Sequence, residues 1–212
     1  MKHKPKRKPK RKPQAATLSH YGSGADVAMV DVSAKETTTR TAIAHGFVRI
    51  SRAALAAVRR KQTPKGDPLE IARIAGIAAA KRTSEWIPLC HPLQLTHVDV
   101  TARLCQTGVE IASRVTATAQ TGVEMEALVA ASAAALTVYD MCKALDPAME
   151  ITDIYLVEKI GGKRGLYRRP VRPTRKNGRR PARPARRTTA GRLGRHGNKV
   201  RRPVSLGSAW NR

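Results

Sequence analysis

The longest regular pattern of apolar positions in the chain runs from Thr121 to Leu145 and predicts a single long helix. Thr121 and Gly122 can open this helix, two acidic residues follow in its first turn, and Pro147 comes shortly after its end. Small side chains at 130–135 would let a sheet or a second helix approach closely. Apolar side chains recur every three to four residues, so we expect one face to meet the core, and its members are Met125, Leu128, Val129, Ser132, Leu136 and Tyr139.

Alternation of apolar and polar positions predicts β-strands before and after the long helix. Residues 42–50 form the first of these strands, and residues 150–159 form the last. Between them, residues 96–105 and 109–119 alternate on either side of Gln106-Thr107-Gly108, which is typical of a β-hairpin. We expect the apolar members of the hairpin to face the core and its charged members to face solvent.

Two shorter helices are predicted between the first strand and the hairpin. Ser51 caps one that runs to Lys61, and Asp67 caps another that begins at Pro68. The resulting order is strand, two helices, hairpin, long helix and strand. This order is typical of an α+β fold, a ferredoxin-like antiparallel sheet with helices packed on one face.

Charge is distributed unevenly along the 212 residues and divides the chain into three parts. Residues 1–13 carry 8 Lys and Arg, residues 163–212 carry 18, and neither stretch has an acidic residue. The part between them has 15 basic and 15 acidic side chains, so it contributes nothing to the net charge of +26. We therefore predict a disordered Lys/Pro-rich basic arm at 1–17, a domain at 18–165 and a disordered Arg/Pro-rich basic tail at 166–212.

Cysteine content and hydropathy indicate the compartment. The three cysteines are far apart and odd in number, which excludes a complete disulfide framework and offers no paired-cysteine zinc site. No apolar run approaches the length of a membrane span, and no apolar segment follows the basic N-terminus as it would in a secretory signal. We expect a cytoplasmic protein.

Charged side chains occupy both ends of the long helix, although its middle is apolar. Glu124 and Glu126 lie at its start, and Asp140 and Lys143 lie on one face near its end. Glu126 and Asp140 are fourteen residues apart, or about 21 Å along a helix. If both ends are functional, each serves a different pocket that another subunit completes. Otherwise the glutamates complement the helix dipole, and Asp140 and Lys143 form a surface ion pair.

Two loops hold further candidate residues. Lys65 stands in a rigid Pro-Lys-Gly loop beside a helix start, where an ammonium and backbone N–H groups could share an anion, although the spacing is not that of a P-loop. His91 stands in a stiff loop between Pro88 and Pro92 and lacks a second ligand at metal spacing, so a phosphate or base contact is favoured. Taken alone, each single lysine is better explained as a solvated surface charge.

Seven short motifs follow one another in an order that is specific for one family. They are MVDVSAK (29–35), PKGD (64–67), ARIAGIAAAKRT (72–83), IPLCHPL (87–93), TGVEMEAL (121–128), LTVYDMCKA (136–144) and KIGGKRG (159–165). With these motifs the chain closely resembles cyclic pyranopterin monophosphate synthase, the second enzyme of molybdenum-cofactor (molybdopterin) biosynthesis. The resemblance covers about residues 18–165 and neither tail.

The resemblance implies a reaction and an assembly. The family converts a cyclised dihydro-GTP to cyclic pyranopterin monophosphate and releases pyrophosphate, which makes it a lyase. Its fold is ferredoxin-like, and its assembly is a homohexamer of three dimers with sites between subunits. It requires no redox cofactor; Mg²⁺ could accompany the substrate phosphates, although no acidic cluster in this sequence demands a metal ion.

Site residues are also implied by the resemblance. Asp140 is the principal acid/base residue, and Lys65 and Lys143 are the other catalytic residues. The implied substrate-binding residues are Leu89, Cys90, His91, Glu124, Met125 and Glu126, and the cations that could neutralise the phosphates are Lys35, Arg40, Lys81, Arg82 and Lys159. Ring opening and closure need proton transfer by groups of tuned pKa. A lysine among other cations loses its proton more readily, so Lys65 or Lys143 could act as acid and base.

The tails support a rival hypothesis, that of a nucleic-acid-binding protein. Residues 1–13 and 163–212 together carry 26 unopposed cations, which would bind polyanions with strong salt dependence. Only Tyr167 and Trp210 are aromatic in the C-terminal tail, which provides poorly for base stacking, so we expect non-specific polyanion binding as an accessory property. An inactive scaffold that keeps the fold is a third alternative, and the intact site motifs argue against it.

Overall fold

A computed structural model describes residues 27–162 and 165–170. In chain order its elements are β1 (Thr38–Arg49), α1 (Arg52–Arg59), α2 (Pro68–Ala80), α3 (Thr83–Trp86), β2 (His97–Leu104), β3 (Gly108–Ala119), α4 (Glu124–Cys142), β4 (Glu150–Ile160) and β5 (Tyr167–Arg168). The strands form one antiparallel sheet in the order β2-β3-β1-β4-β5, and helices pack on it, which confirms the predicted α+β fold.

Helix starts follow the predicted caps in two cases and depart from them in the third. The Ser51 hydroxyl accepts a hydrogen bond from the Ala54 N–H at the start of α1, and Asp67 accepts one from the Leu69 N–H at the start of α2. In contrast, α4 begins without a side-chain cap. Thr121 and Gly122, which the sequence placed in its first turn, precede the helix and line a cleft instead.

The first strand is the centre of the sheet. β1 pairs along its full length with β3, from Thr38 opposite Ala119 to Arg49 opposite Gly108, and its other edge pairs with β4. One side of β1, β2 and β3, represented by Val48 of β1, is buried beneath the helices. The sheet therefore presents its core face to α2 and α4. The first residues of β1 and the last residues of β3 and β4 meet beside the start of α4.

The most deeply buried side of α4 is its alanine side, and the predicted stripe is right only in part, since Leu128 and Tyr139 pack against the core while they are partly buried. Of that stripe only Val129 is buried, and Leu136 is 53% exposed. A Cβ built on Gly76 of α2 would lie 2.9 Å from the Ala130 carbonyl oxygen, so the two helix backbones lie too close for larger side chains. The residues of α4 that are fully buried, with no exposed surface, are Ala127, Ala130, Ala131, Ala134, Ala135, Val138 and Cys142.

The same helix is, in the described part of the chain, long and apolar enough to cross a membrane. Most of it is buried between the sheet and α2, and no membrane is needed to account for its apolar composition. A core helix of this length passes the same test of length and hydropathy as a membrane span.

Two residues that the sequence placed in the C-terminal tail form a strand. In β5, Tyr167 pairs with Lys159 and Arg168 pairs with Glu158. The guanidinium of Arg169 then lies 4.2 Å from the centroid of the Tyr155 ring. The ordered part therefore continues past residue 165. The arm at 1–17 and the rest of the predicted tail lie outside the described residues.

Candidate active site

A cleft with two chambers opens beside the N-terminus of α4. The apolar chamber has a volume of about 430 Å³ and the cationic chamber one of about 270 Å³. Lys35, Thr121, Gly122 and Glu124 line both chambers, so the cleft is continuous. The residues that line the apolar chamber but not the cationic one include Val30, Leu89, Cys90, His91, Met125 and Glu126, and those that line the cationic chamber but not the apolar one include Arg40, Lys159, Gly161 and Gly162.

Arg40 holds a fixed position in the cationic chamber. Its Nε donates to the Ala119 carbonyl at 2.9 Å, and its Nη2 donates to the Gln120 carbonyl at 3.1 Å. The turn after β4 lies against it: Gly161 and Gly162 have φ of 99° and 75°, and a Cβ at Gly162 would collide with Arg40 Nη1. Within the described residues no carboxylate pairs with this guanidinium, so its charge remains available to an anion.

Lys159 is paired with a carboxylate. Its Nζ lies 2.5 Å from Glu124 Oε1, and each of the two side chains is 28% exposed. The Glu124 carboxylate folds back over Gly122, where any Cβ would collide with it. Glu124, the first residue of α4, therefore reaches Lys159 near the end of β4 only because the residue two positions before it is a glycine.

The apolar chamber contains a buried carboxyl group. Glu126 is 4% exposed, and burial, assisted by the negative charge of Glu124, raises its pKa from the ordinary 4.5 to about 7. Burial, together with the charge of Glu126, also raises the pKa of the neighbouring Cys90 thiol. Glu126 can therefore carry a proton near neutral pH, whereas Cys90 remains a thiol.

The remaining predicted cations of this region lie outside the cationic chamber. Lys81 borders a small cavity of about 50 Å³ behind the apolar chamber, together with His91 and Glu126. Arg82 pairs with Glu85 at 2.8 Å on the surface. Of the five cations predicted to neutralise phosphates, the structure brings Lys35, Arg40 and Lys159 to one chamber.

The three predicted catalytic residues form a separate cluster at the C-terminal end of α4. Asp140 Oδ2 lies 2.7 Å from Lys65 Nζ, and Oδ1 lies 2.8 Å from Lys143 Nζ. Hydrogen bonds from Lys143 and Lys65 lower the pKa of Asp140 to about 2, and Asp140 in turn raises the pKa of Lys143. The expectation that Lys143 loses its proton more readily is therefore wrong for this chain by itself. Lys143 lies beside the Asp140 carboxylate as well as near the Lys65 ammonium, and the carboxylate favours the protonated form of Lys143.

The lysine–aspartate cluster and the cleft do not meet within one subunit. Residues 124–126 stand at the first turn of α4 and Asp140 at its last, about 21 Å apart along the helix axis. Asp140 instead borders an apolar groove that Trp86 and Leu136 line, and both of these side chains are about half exposed. Within one chain, the predicted site residues therefore fall into two separate groups, one at each end of α4.

Several lining residues were not predicted as site residues. Thr121 and Gly122 line both chambers, and Gly161 and Gly162 line the cationic one. The sequence did contain a signal for the glycines, because they fall inside two of the seven motifs. In these motifs they lie close to Glu124 and Lys159, which were predicted as site residues. In the residues that the structure describes, no three His, Cys, Asp or Glu side chains come together as a metal site would require.

Comparison with known proteins assigns the chain to a family. The model of the MoaC family matches residues 29–162. A cyclic pyranopterin monophosphate synthase of Heliobacterium modesticaldum is 56% identical over 152 residues, which cover 71% of this chain and 96% of the relative. Proteins of the same name from Mycobacterium bovis (51% over 156 residues; 74% and 93% covered) and Deinococcus radiodurans (49% over 159 residues; 75% and 94% covered) are also similar. The chain belongs to the MoaC family.

Proposed function

We propose that this chain is a lyase of molybdenum-cofactor biosynthesis that converts cyclised dihydro-GTP to cyclic pyranopterin monophosphate with release of pyrophosphate. The observation that carries the proposal is the continuous cleft, whose apolar chamber fits a purine-derived ring and whose cationic chamber fits a triphosphate. Relatives that are 56% and 51% identical to this chain over the aligned residues bear the name of this activity.

In the cationic chamber, the triphosphate meets three cations from three parts of the chain. Lys35 precedes β1, Arg40 lies within it, and Lys159 lies near the end of β4. Attack of a sugar hydroxyl on the innermost phosphate builds negative charge on the departing pyrophosphate, and nearby fixed cations stabilise that charge. Arg40 is already held by two carbonyls, so it needs little reorganisation to do this.

In the apolar chamber, Glu126 and His91 are within reach of the ring. Rearrangement of the ring moves protons on and off nitrogen and carbon, which requires a group whose pKa lies near the working pH. Glu126, with a pKa of about 7, meets this requirement in the structure of one subunit. Leu89, Cys90 and Met125 line the same chamber and give it apolar walls.

The assembly that we propose brings Asp140, Lys65 and Lys143 to the cleft of another subunit. In one chain the cluster and the cleft lie at opposite ends of α4, so a composite site requires at least a dimer, and we propose the hexamer of three dimers that the family resemblance implies. The exposed apolar groove beside Asp140 supports a contact between copies. Trp86 and Leu136 line this groove, Ile74 lies on the adjoining face of α2, and each of the three side chains is about half exposed.

The proposal requires no redox cofactor, because ring rearrangement and loss of pyrophosphate involve no net oxidation. Mg²⁺ would enter with the phosphates as part of the substrate rather than as a resident ion. A cytoplasmic location suits an enzyme whose substrate derives from GTP. A second, accessory function is proposed for the tails, non-specific binding of polyanions, on the ground that residues 1–13 and 163–212 carry 26 Lys and Arg and no acidic residue.

Incubation of the full chain with enzymatically made cyclised dihydro-GTP tests the main proposal. Mass spectrometry should detect cyclic pyranopterin monophosphate, and a coupled assay should detect one pyrophosphate for each molecule formed. Asp99→Asn is a matched control for the loss of a carboxylate, since Asp99 is exposed on β2 and lines none of the cavities described above. Consumption of substrate without pyrophosphate, or no consumption at all, would contradict the assigned reaction.

A further inference from the structure

A carboxylate stands where the proposed function expects only cations. Glu124 lines the cationic chamber, and it lines the apolar chamber as well, so it stands at the boundary between the ring and the phosphates. A bound triphosphate would be repelled by this carboxylate. The position therefore needs an explanation beyond substrate binding.

The carboxylate is held by its surroundings in one particular place. It pairs with Lys159 at 2.5 Å in a partly buried position, where both side chains are 28% exposed and solvent screens the pair less than at the surface. Gly122 leaves space for it, since a Cβ at that position would collide with both carboxylate oxygens. Arg40, in contrast, has backbone carbonyls as partners and no carboxylate among the described residues.

We infer that Glu124 is a displaceable counter-ion of Lys159, which gives up the lysine when phosphates enter and takes it back when pyrophosphate leaves. This inference rests on the proposed function. The carboxylate satisfies the lysine in the empty chamber, so the lysine is not left partly buried and unpaired. It also competes with pyrophosphate for the same ammonium, which weakens the retention of that product after the reaction.

The competition predicts an effect opposite in sign to that of an ordinary binding residue. Removing the charge of Glu124 leaves Lys159 free and removes the repulsion, so pyrophosphate should bind more tightly. If Glu124 only positioned Lys159, its removal would weaken pyrophosphate binding instead. The two roles are thus separated by the direction of one measured change.

The experiment is calorimetric titration of the full chain with inorganic pyrophosphate, together with product inhibition of turnover by pyrophosphate. We expect Glu124→Gln to tighten pyrophosphate binding by about tenfold and to lower the inhibition constant equally. Glu150→Gln is the control, because Glu150 also pairs with a cation, Arg49, but both side chains are 63% exposed and outside the cleft. Cations of the tails contribute the same background in every variant, so the comparison cancels it.

Lys159→Gln separates failure of this inference from failure of the proposed function. If Lys159→Gln weakens pyrophosphate binding while Glu124→Gln leaves it unchanged or weakens it, the cationic chamber is supported as the phosphate site and the counter-ion role of Glu124 is overturned. If Lys159→Gln has no effect, the cationic chamber does not bind the phosphates, and both proposals fail. Thermal unfolding of each variant shows whether it is folded; Gln keeps the shape of Glu124, and in place of Lys159 it removes the positive charge with a polar side chain.

Discussion

Glu126 and Asp140 are carboxyl residues of the same helix in opposite environments. Glu126 is buried at the first turn of α4, and its pKa rises to about 7; Asp140 is exposed at the last turn between two lysines, and its pKa falls to about 2. At neutral pH the first can give or accept a proton, whereas the second is an anion that holds two ammonium groups in place. Residue type alone would not have distinguished these roles.

Glu126→Gln should change the pH dependence of stability. The folded pKa of Glu126 lies above the unfolded value, so the unfolded carboxyl ionises first, and the free energy of unfolding falls as pH rises from about 4.5 to about 7. The whole fall amounts to about 3 kcal/mol. Denaturant unfolding at pH 4.5 and pH 8 should show this loss in the parental chain and not in the variant. Parallel pH curves for the two proteins would contradict the assignment, and Glu150→Gln should resemble the parent.

Asp140→Asn and Lys65→Ala should each lower turnover by a factor of at least about 100 while leaving the fold intact. Both side chains are about half exposed and contribute nothing to the core, so circular dichroism and thermal unfolding should remain near parental. Steady-state kinetics at saturating substrate measures the loss, with Asp99→Asn as the control. Near-parental turnover in either variant would remove that residue from the catalytic set.

At the scale of elements, the approach of α2 to α4 depends on one glycine. A Cβ at Gly76 would lie 2.9 Å from the Ala130 carbonyl oxygen and 3.1 Å from a Val100 methyl group. Neither neighbour can move freely, because one is helix backbone and the other belongs to a fully buried strand residue. The glycine thus sets the distance between the two helices.

Gly76→Ala should therefore destabilise the protein, although alanine is the better helix former by about 1 kcal/mol. Overpacking of this kind costs about 1–3 kcal/mol, which urea unfolding can resolve. Ala78→Gly, at an exposed position of the same helix, is the matched control and should lose about 1 kcal/mol through propensity alone. A Gly76→Ala variant more stable than the parent would show that the helices can move apart.

The sequence predicted the elements better than their contacts. Caps such as Ser51 and Asp67 act locally, and alternation in 96–119 is a direct property of a half-buried hairpin, so both were predictable. The buried side of α4 was not predictable in this way. The larger apolar residues dominate a hydrophobic pattern, whereas the short distance between the helix backbones decides that the alanine side is the buried one. The pairing of Lys65 with Asp140 joins residues 75 positions apart, which no local pattern encodes; only the family resemblance placed them together.

At the scale of the whole molecule, the division of site residues between the two ends of α4 predicts complementation. Asp140→Asn damages the lysine–aspartate cluster, and Met125→Arg damages the apolar chamber. If each active site combines a cluster and a cleft from different subunits, mixed oligomers contain some sites free of both lesions and recover part of the activity. Mass spectrometry of tagged chains must first demonstrate subunit exchange. Exchange without recovery would mean that each subunit works alone.

Deletion of residues 1–13 and 171–212 should abolish non-specific nucleic-acid binding and leave turnover unchanged. This deletion removes 22 Lys and Arg and no acidic residue, and it retains β5, which pairs with β4. Gel-shift or anisotropy titration with duplex DNA across a salt series measures the loss. Retention of DNA binding at moderate salt by the truncated chain would place the affinity in the domain itself.

The central position of β1 has a consequence for synthesis on the ribosome. β1 is completed at residue 49, but β4, the partner along one of its edges, is completed only at residue 160. At about 5–20 residues per second, that edge waits on the order of ten seconds, longer than a hairpin needs to form. A chaperone that shields an unpaired strand would act in this interval. Lys159 and the glycine turn at 161–162 are the last parts of the cationic chamber to be synthesised, so a chain whose translation stalls before residue 159 lacks a complete chamber.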